Sequence, residues 1–415
     1  MVQRFNPAVL TVGIIGGSIV GCTLAAELAR LGCRVRLFER SGEALKDRGA
    51  GIGVPESVMA TFATQGLIDA SLPHFPAPAF LRIWKTPAAP RYGRLAWTQP
   101  AKLAALNWGA LYRNLRARVP PGVYQIRQQV VALTESVPGE VLLDFADGHQ
   151  EAFDLVICAD GYASLGRQTL FPEVQLNYAG YVLWRGSLPE AALDESPPLE
   201  VGIRAVGYPG GHGIFYFVPG ADDSVRPGER LVNWGVYVQI PAAELPAFMT
   251  DREGRRHEAS LPPGMMPPAT ERALKDRLAQ HFPDYYTRIL ETSEQTYAYA
   301  IFDCQVPAYR RGRICLAGDA GAYARPHTGA GALKGIADAV ALGKALAEAG
   351  DLEEALGRWD AERTAANNEL VRFGNQLGEA FVTRIPDWST MDAAAMEAWF
   401  SAAVTIPSEY LLARA

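Results

Sequence analysis

The chain has 415 residues, of which 49% are hydrophobic and 20% charged, with a formal net charge of -6; at roughly 100–200 residues per domain this supports two or three domains with substantial cores. The acidic balance and the shortness of the Arg runs (Arg252, Arg255, Arg256 and Arg310, Arg311, Arg313) argue against nucleic acid as a partner. Five cysteines without a CxxC pair, no run of 18 apolar residues and no cleavage site after the N-terminal apolar run argue against a disulfide framework, a zinc or other metal site, a membrane span and a signal peptide, and the cytoplasm is the expected location.

Val9 to Ile15 predicts a short buried strand, and Gly16 to Gly21 a glycine turn. Ile19 to Leu31 carries Leu24, Leu28 and Leu31 at helical spacing and stops at Gly32, a natural helix terminator. Arg34 to Glu39 predicts a second strand, so the chain opens with a βαβ unit. From Val123 to Ala159 a meander of short strands is expected, with Asp147-Gly148 as a tight turn and Leu155 to Ala159 running into Asp160-Gly161. Tyr178 to Leu188, Gly213 to Val218 and Leu231 to Ile240 predict aromatic-rich strands of an antiparallel sheet. Pro241 to Thr270 predicts a long irregular loop. Arg313 to Ala317 predicts a further apolar strand before Gly318-Asp319, and helices are expected over Ala330–Ala349, Asp351–Ala380 and Thr390–Val404.

Gly16-Gly17-Ser18-Ile19-Val20-Gly21 sits between strand and helix, where glycines let the backbone approach a pyrophosphate that faces the helix N-terminus. Ser18 replaces the usual second glycine, and its hydroxyl is placed to contact phosphate. Glu39 lies 18 residues after Gly21, where an acid takes ribose hydroxyls. Strand, turn, helix, strand and acid together predict dinucleotide binding but do not separate FAD from NAD. Asp160 and Asp319 each follow an apolar strand, where a carboxylate can accept from cofactor hydroxyls.

The order of these three motifs resembles the single-component FAD-dependent aromatic hydroxylases of the para-hydroxybenzoate hydroxylase type. Within them it resembles the 2,6-dihydroxypyridine 3-hydroxylase subgroup in the GGS turn, Trp184-Arg185-Gly186, the stretch from Thr250 to Gly264 and the run from Ala324 to Gly331. The resemblance implies an α/β fold: a Rossmann-like FAD-binding domain (1–70, 101–175 and 296–360), an inserted antiparallel β-sheet substrate domain (71–100 and 176–295) and C-terminal helices (361–415). It implies that Gly16, Ser18 and Gly21 line the adenosine diphosphate with Ile19 beside them, and that Glu39 holds the ribose next to Arg40. It further implies that Asp160 belongs to the cofactor site and Asp319 contacts the ribityl–pyrophosphate region. Arg113 would reach the cofactor, a loop with Arg48 and Gly51 would run along the flavin, and Pro326, Gly329, Ala330 and Gly331 would pass beside the isoalloxazine. Many relatives carry His just after the Gly-Asp pair; this chain has Gly321 and Ala322 there, so non-covalent FAD is expected.

The implied reaction is hydroxylation of a small hydroxylated aromatic or N-heteroaromatic ring through a flavin hydroperoxide, with electrons from NADH or NADPH and O2 as oxidant. No second dinucleotide fingerprint is present, so the nicotinamide is expected as a transient visitor, near Arg48 or Arg167. His212, between glycines and before an aromatic strand, is the candidate base near neutral pH, with Tyr216 as a second catalytic candidate. Trp184, Arg185, Tyr208 and His327 are candidate substrate contacts; on strands every second side chain faces a pocket. A homodimer is left open. A flavin dehydrogenase or reductase of the same fold and a non-catalytic FAD-binding redox sensor are the alternatives.

Overall fold

The first strand, Thr11–Ile15, lies inside a six-stranded sheet in this computed structural model, which describes residues 5–42, 50–136 and 139–407. It pairs in parallel with Arg34–Glu39 on one side and Leu155–Cys158 on the other. Ile314–Leu316 extends the sheet beyond Leu155–Cys158, and Tyr124–Ile126 beyond Arg34–Glu39, both in parallel. Val12, Ile14, Leu37, Val156 and Ile157 are buried, as expected for parallel strands covered on both faces. The register sets Ile15 beside Phe38 and Cys158, and Cys158 beside Leu316. The three motif-bearing turns therefore leave the sheet at one carboxyl edge, and the strand order reverses at the first strand. That is the switch point at which open α/β sheets form a ligand crevice.

Helix Ile19–Arg30 covers one face and packs on helix Gly331–Glu348. A Cβ on Gly335 would lie 2.2 Å from Val20 Cγ2, so a glycine is required where these helices touch. The expected meander is present as Val130–Ser136, Glu140–Phe145 and Gln150–Phe153, a small antiparallel sheet with Gly148 in the left-handed region at φ 91.

The inserted sheet has nine strands and runs from Ser260–Leu261 at one edge to Gly51–Pro55 at the other. It is antiparallel except where Ile203–Tyr208 pairs in parallel with Phe75–Thr86. Two long strands, Phe75–Thr86 and Ala89–Asn107, were not expected from the sequence. Pro76, Pro78, Pro90 and Pro100 break their pattern, and the ladder absorbs them with register shifts such as the one between Ala77 and Ala79. The chain crosses into this sheet early: Gly51–Pro55 pairs with Leu103–Asn107.

The two faces of the nine-stranded sheet differ. Trp184, Phe215, Phe217 and Trp234 are buried on the face covered by helices Pro268–Ala279 and Asp284–Thr292. The other face turns toward the six-stranded body and carries Tyr181, Leu183, Arg185, His212, Tyr216 and Tyr237. Helix Leu352–Gly378 ends in a π-helical turn, Glu379–Thr383, and helix Ala393–Ala403 follows. Trp388 and Phe400 pack on Trp84 and Trp97, so the C-terminal aromatics close the side of the cleft against the body itself. Within the long loop, buried Asp251 accepts from the backbone of Glu253 and Arg255 and meets His257 at 2.8 Å, which gives that irregular segment a fixed shape.

Candidate active site

The glycine turn is built for close approach. Gly16 has φ 104, and a Cβ there would meet Ala159 O at 2.4 Å. A Cβ on Gly21 would fall 1.9 Å from Gly16 O. Ser18 is the N-cap of Ile19–Arg30 yet makes no side-chain capping bond, which leaves its hydroxyl and the first helical N–H groups to a phosphate. Glu39 is buried and accepts from Gly17 N at 2.9 Å and Ser41 N at 2.8 Å, so its carboxylate is fixed at the sheet edge with lone pairs to spare. Arg40 follows it and is exposed. Arg48 lies outside the described residues.

Asp160 accepts from Leu165 N at 2.7 Å through one oxygen, while its other oxygen is buried without a partner. Burial pushes its carboxyl above the usual range. Asp319 is paired with the buried ammonium of Lys334 at 3.0 Å, and Lys334 also donates to Ala322 O. Gly318, at φ 61, donates to Asp338 at 2.8 Å, and Asp338 in turn accepts from Arg363 and Asn367, both at 2.8 Å. A buried network therefore holds the Gly318-Asp319 turn from behind. Gly331 opens its helix without a side-chain cap at Ala330, and a Cβ on Gly331 would meet nothing within 4 Å. Pro326 and Gly329 are exposed. Orphaned acid, glycine cradle, uncapped helix starts and open space beside Gly331 fit a flavin adenine dinucleotide laid along the crevice.

One sequence expectation on this side changes. Arg167 is buried and spends its guanidinium on the carbonyls of Tyr162, Asp319 and Ala320, so it ties two motif loops together and is not available to a nicotinamide phosphate. Arg113, partly exposed, donates from Nη2 to both carboxylate oxygens of Asp223, at 2.7 and 2.8 Å.

On the sheet wall, buried His212 lies 3.0 Å from Phe381 O through Nδ1. A carbonyl only accepts, so Nδ1 carries the proton and Nε2 of the neutral ring carries the lone pair. Burial, with Arg82 nearby, pushes the imidazole pKa down to about 3. The expectation of a base poised near neutrality is thereby corrected: His212 is a neutral hydrogen-bond acceptor. Its ring packs 4.9 Å from Tyr237, which stacks on His327 at 4.0 Å. His327 Nε2 meets Tyr181 OH at 3.0 Å, and burial holds that imidazole well below its ordinary pKa too. Tyr216 shares this face near Arg185, and burial pushes its phenol up to about 12. Arg185 reaches the cofactor-flanking strand, donating to Gly51 O at 3.2 Å and Asn233 Oδ1 at 3.3 Å. Gly51 N donates to the same Asn233 oxygen at 2.8 Å.

Trp184 and Tyr208 leave the candidate pocket. Trp184 packs edge-on against Trp234 at 4.9 Å on the helix-covered face, and Tyr208 packs on Phe282 and donates to Tyr237 O at 2.7 Å. Alternation separated Trp184 from Arg185 as expected, but nothing in the sequence told which of the two faces the cleft. Phe381, Asn233, Lys334 and Asp338 were not anticipated. Lys334 had a signal, since a cation in the first turn opposes the helix dipole and needs a partner; Phe381 had none.

Three family models match parts of the chain. Residues 11–66 match the pyridine nucleotide-disulphide oxidoreductase family, residues 178–303 the FAD binding domain-like family and residues 260–374 the FAD binding domain family. The chain is 28% identical over 365 residues to 2,6-dihydroxypyridine 3-monooxygenase of Paenarthrobacter nicotinovorans, covering 86% of this chain and 88% of the relative. It is 27% identical over 408 residues to salicylate hydroxylase of Pseudomonas putida, covering 92% and 89%. The solved structure of 2,6-dihydroxypyridine-3-hydroxylase from Arthrobacter nicotinovorans superposes with a TM-score of 0.81 at 24% identity, over 92% of this chain and 94% of that one, and so has the same fold.

Proposed function

This chain belongs to the FAD-dependent monooxygenases of the salicylate hydroxylase and para-hydroxybenzoate hydroxylase type, and from that premise we propose that its substrate is a small hydroxylated N-heteroaromatic ring of the dihydroxypyridine kind. Bound FAD, reduced by NADH or NADPH, supplies the activation of O2 to an electrophilic oxygen donor. The chain's own residues hold the ring and its protons. Gly16, Ser18, Gly21, Glu39, Asp160 and Asp319 would hold the dinucleotide at the sheet edge, and Pro326 to Gly331 would flank its redox-active end.

The observation that carries the reading is the meeting of His212, from the sheet wall, with His327, from the cofactor-flanking run, across Tyr237. A planar guest in that cleft finds aromatic walls and imidazole nitrogens kept neutral by burial. His212 Nε2 accepts the hydrogen of a ring hydroxyl, which raises electron density at the carbon ortho or para to it. The closure of Phe381, Trp388 and Phe400 over this side keeps water out. The resemblance of the GGS turn, Trp184-Arg185-Gly186 and the run from Ala324 to Gly331 to the dihydroxypyridine subgroup supports a pyridine over a phenol. Five free buried thiols support a reducing compartment, and we place the enzyme in the cytoplasm.

The test uses the purified holoenzyme with NADH or NADPH and a panel of hydroxylated pyridines and phenols. Nicotinamide oxidation, O2 uptake and product are followed together. A hydroxypyridine that stimulates both and is recovered with one added oxygen is the expected result. Hydroxylation of phenols alone would remove the pyridine assignment, and nicotinamide oxidation without any hydroxylated product would remove the substrate class.

A further inference from the structure

Arg185 is a cation in the cleft wall that no carboxylate among the described residues answers. Among the described residues it makes no ion pair, and the groups that face it are tyrosines: Tyr297 and Tyr299 from strand Tyr297–Asp303, Tyr216 from Gly211–Val218 and Tyr237 from Leu231–Gln239. Its bonds to Gly51 O and Asn233 Oδ1 are long, at 3.2 and 3.3 Å, and its Nε–H is buried without a partner. Asn233 Nδ2, on the adjacent strand, is also buried without a partner. Gly235 stands directly across from Arg185 and leaves bare backbone there; a Cβ would come 3.0 Å from Leu183 Cδ1 and 3.5 Å from Arg185 Cγ. A half-buried charge with no counter-ion among the described residues and two buried, orphaned donors at one place are costly unless a ligand brings the complement.

We propose that Arg185, with Asn233 beside it, is an anion site that selects the substrate as its ring oxyanion. The identity of the ring rests on the function proposed above; the charge requirement rests on Arg185 and Asn233 alone. A planar guanidinium and an amide N–H match a planar conjugated oxyanion, in which the charge is spread over ring oxygen and nitrogen. The proton of one ring hydroxyl is left in solvent on binding, while the second hydroxyl keeps its hydrogen for His212 Nε2, so affinity rises with pH until the free ring is ionised. Two of the facing phenols are moved out of that range by burial: Tyr216 is pushed up to about 12 and Tyr237 is pushed up as well. The reduced cofactor ring also offers an anionic edge, and the test separates the two sources.

The oxidised holoenzyme is titrated with 2,6-dihydroxypyridine and with resorcinol, its carbocyclic counterpart, by the perturbation of flavin absorbance. The pH range spans the pyridine's own ionisation, read separately from its ultraviolet spectrum. Wild-type affinity for the pyridine should follow that ionisation. R185Q should bind the ionised ring roughly ten- to a hundredfold more weakly and resorcinol unchanged, with R185K in between. Wild-type affinity indifferent to ring ionisation would overturn the proposal, and this measurement decides even where R185Q does not fold. Equal weakening of both ligands would overturn it, as would a shift in flavin midpoint potential with both affinities intact, which would assign the anion to the cofactor. A ring bound as its oxyanion but not hydroxylated would remove the proposed reaction and leave the anion site standing.

Discussion

His212 and His327 come from the two separate bodies of the chain, yet their rings lie 5.6 Å apart, each packed on Tyr237. The contact joins the substrate wall to the cofactor-flanking run, so a ring held against one histidine is placed relative to the other. The role assigned to His212 is acceptance through Nε2, with Nδ1–H committed to Phe381 O. H212Q and H212A should lower kcat/KM for hydroxylation by about ten- to a hundredfold, the worth of one well-placed hydrogen bond. FAD affinity, measured by quenching of flavin fluorescence, should not change. Equal rates in wild type and variants would remove His212 from the reaction.

The same histidine gives the fold a pH dependence. In the unfolded chain its imidazole titrates near 6.5, but in the fold burial delays protonation to about 3. Between those values the unfolded chain holds the extra proton, so stability is intact above 6.5 and falls as the pH drops below it. The loss is at most about 1.4 kcal/mol per pH unit for this one group, and His327, shifted in the same direction, adds to it. Urea titrations on either side of pH 6.5 should show the slope, and H212Q should reduce it. A stability that stays flat through weakly acidic pH would show that these rings are hydrated and protonate freely.

Trp184 tests which face of the sheet is the cleft. It packs on Trp234 beneath the helices, and its indole N–H has no partner there. W184F should therefore destabilise the fold by about 1–3 kcal/mol through lost packing, with the missing N–H moderating the cost. Ring affinity should be untouched. Weaker ring binding at full stability would return Trp184 to the pocket.

What the sequence carried and what it did not follow from the range of the interactions. The turn from Gly16 to Gly21, Glu39, Asp160 and Asp319 all lie next to the strand that positions them, so local spacing was enough to bring them to one edge. Helices Ile19–Arg30, Gly331–Glu348 and Leu352–Gly378 were legible from their periodicity. The wall was half legible: period-two alternation puts the adjacent Trp184 and Arg185 on opposite faces, but the face that meets the cleft is set by helices Pro268–Ala279 and Asp284–Thr292, far along the chain. The partner of His212 is a carbonyl in a π-helical turn, and main-chain carbonyls leave no mark in a sequence.

Lys334 and Asp319 form a charge pair at the cofactor's expected diphosphate end. An acid near a diphosphate repels it unless neutralised, so Lys334 would act as a positioning residue for FAD. K334M should weaken FAD binding about tenfold or more, and the double variant K334M/D319N, which removes both charges, should recover much of that loss. Fluorescence titration of the apoprotein reads both, with circular dichroism as the check on folding. A double variant as weak as K334M alone would show that the lysine acts through packing.

Gly331 and Gly21 separate room for the cofactor from room for the fold. A Cβ on Gly21 would strike Gly16 O at 1.9 Å, so G21A must distort the turn itself and is expected to lose both yellow colour and stability. A Cβ on Gly331 meets no protein atom within 4 Å, and alanine is the better helix former by up to about 1 kcal/mol. G331A apoprotein should therefore melt at or slightly above the wild-type temperature. If the flavin lies along Pro326 to Gly331, the added methyl enters its space, and FAD affinity should fall while the apoprotein gains. Wild-type FAD affinity in G331A would move the isoalloxazine away from this helix start, and a destabilised apoprotein would mean that the space is filled by the chain itself.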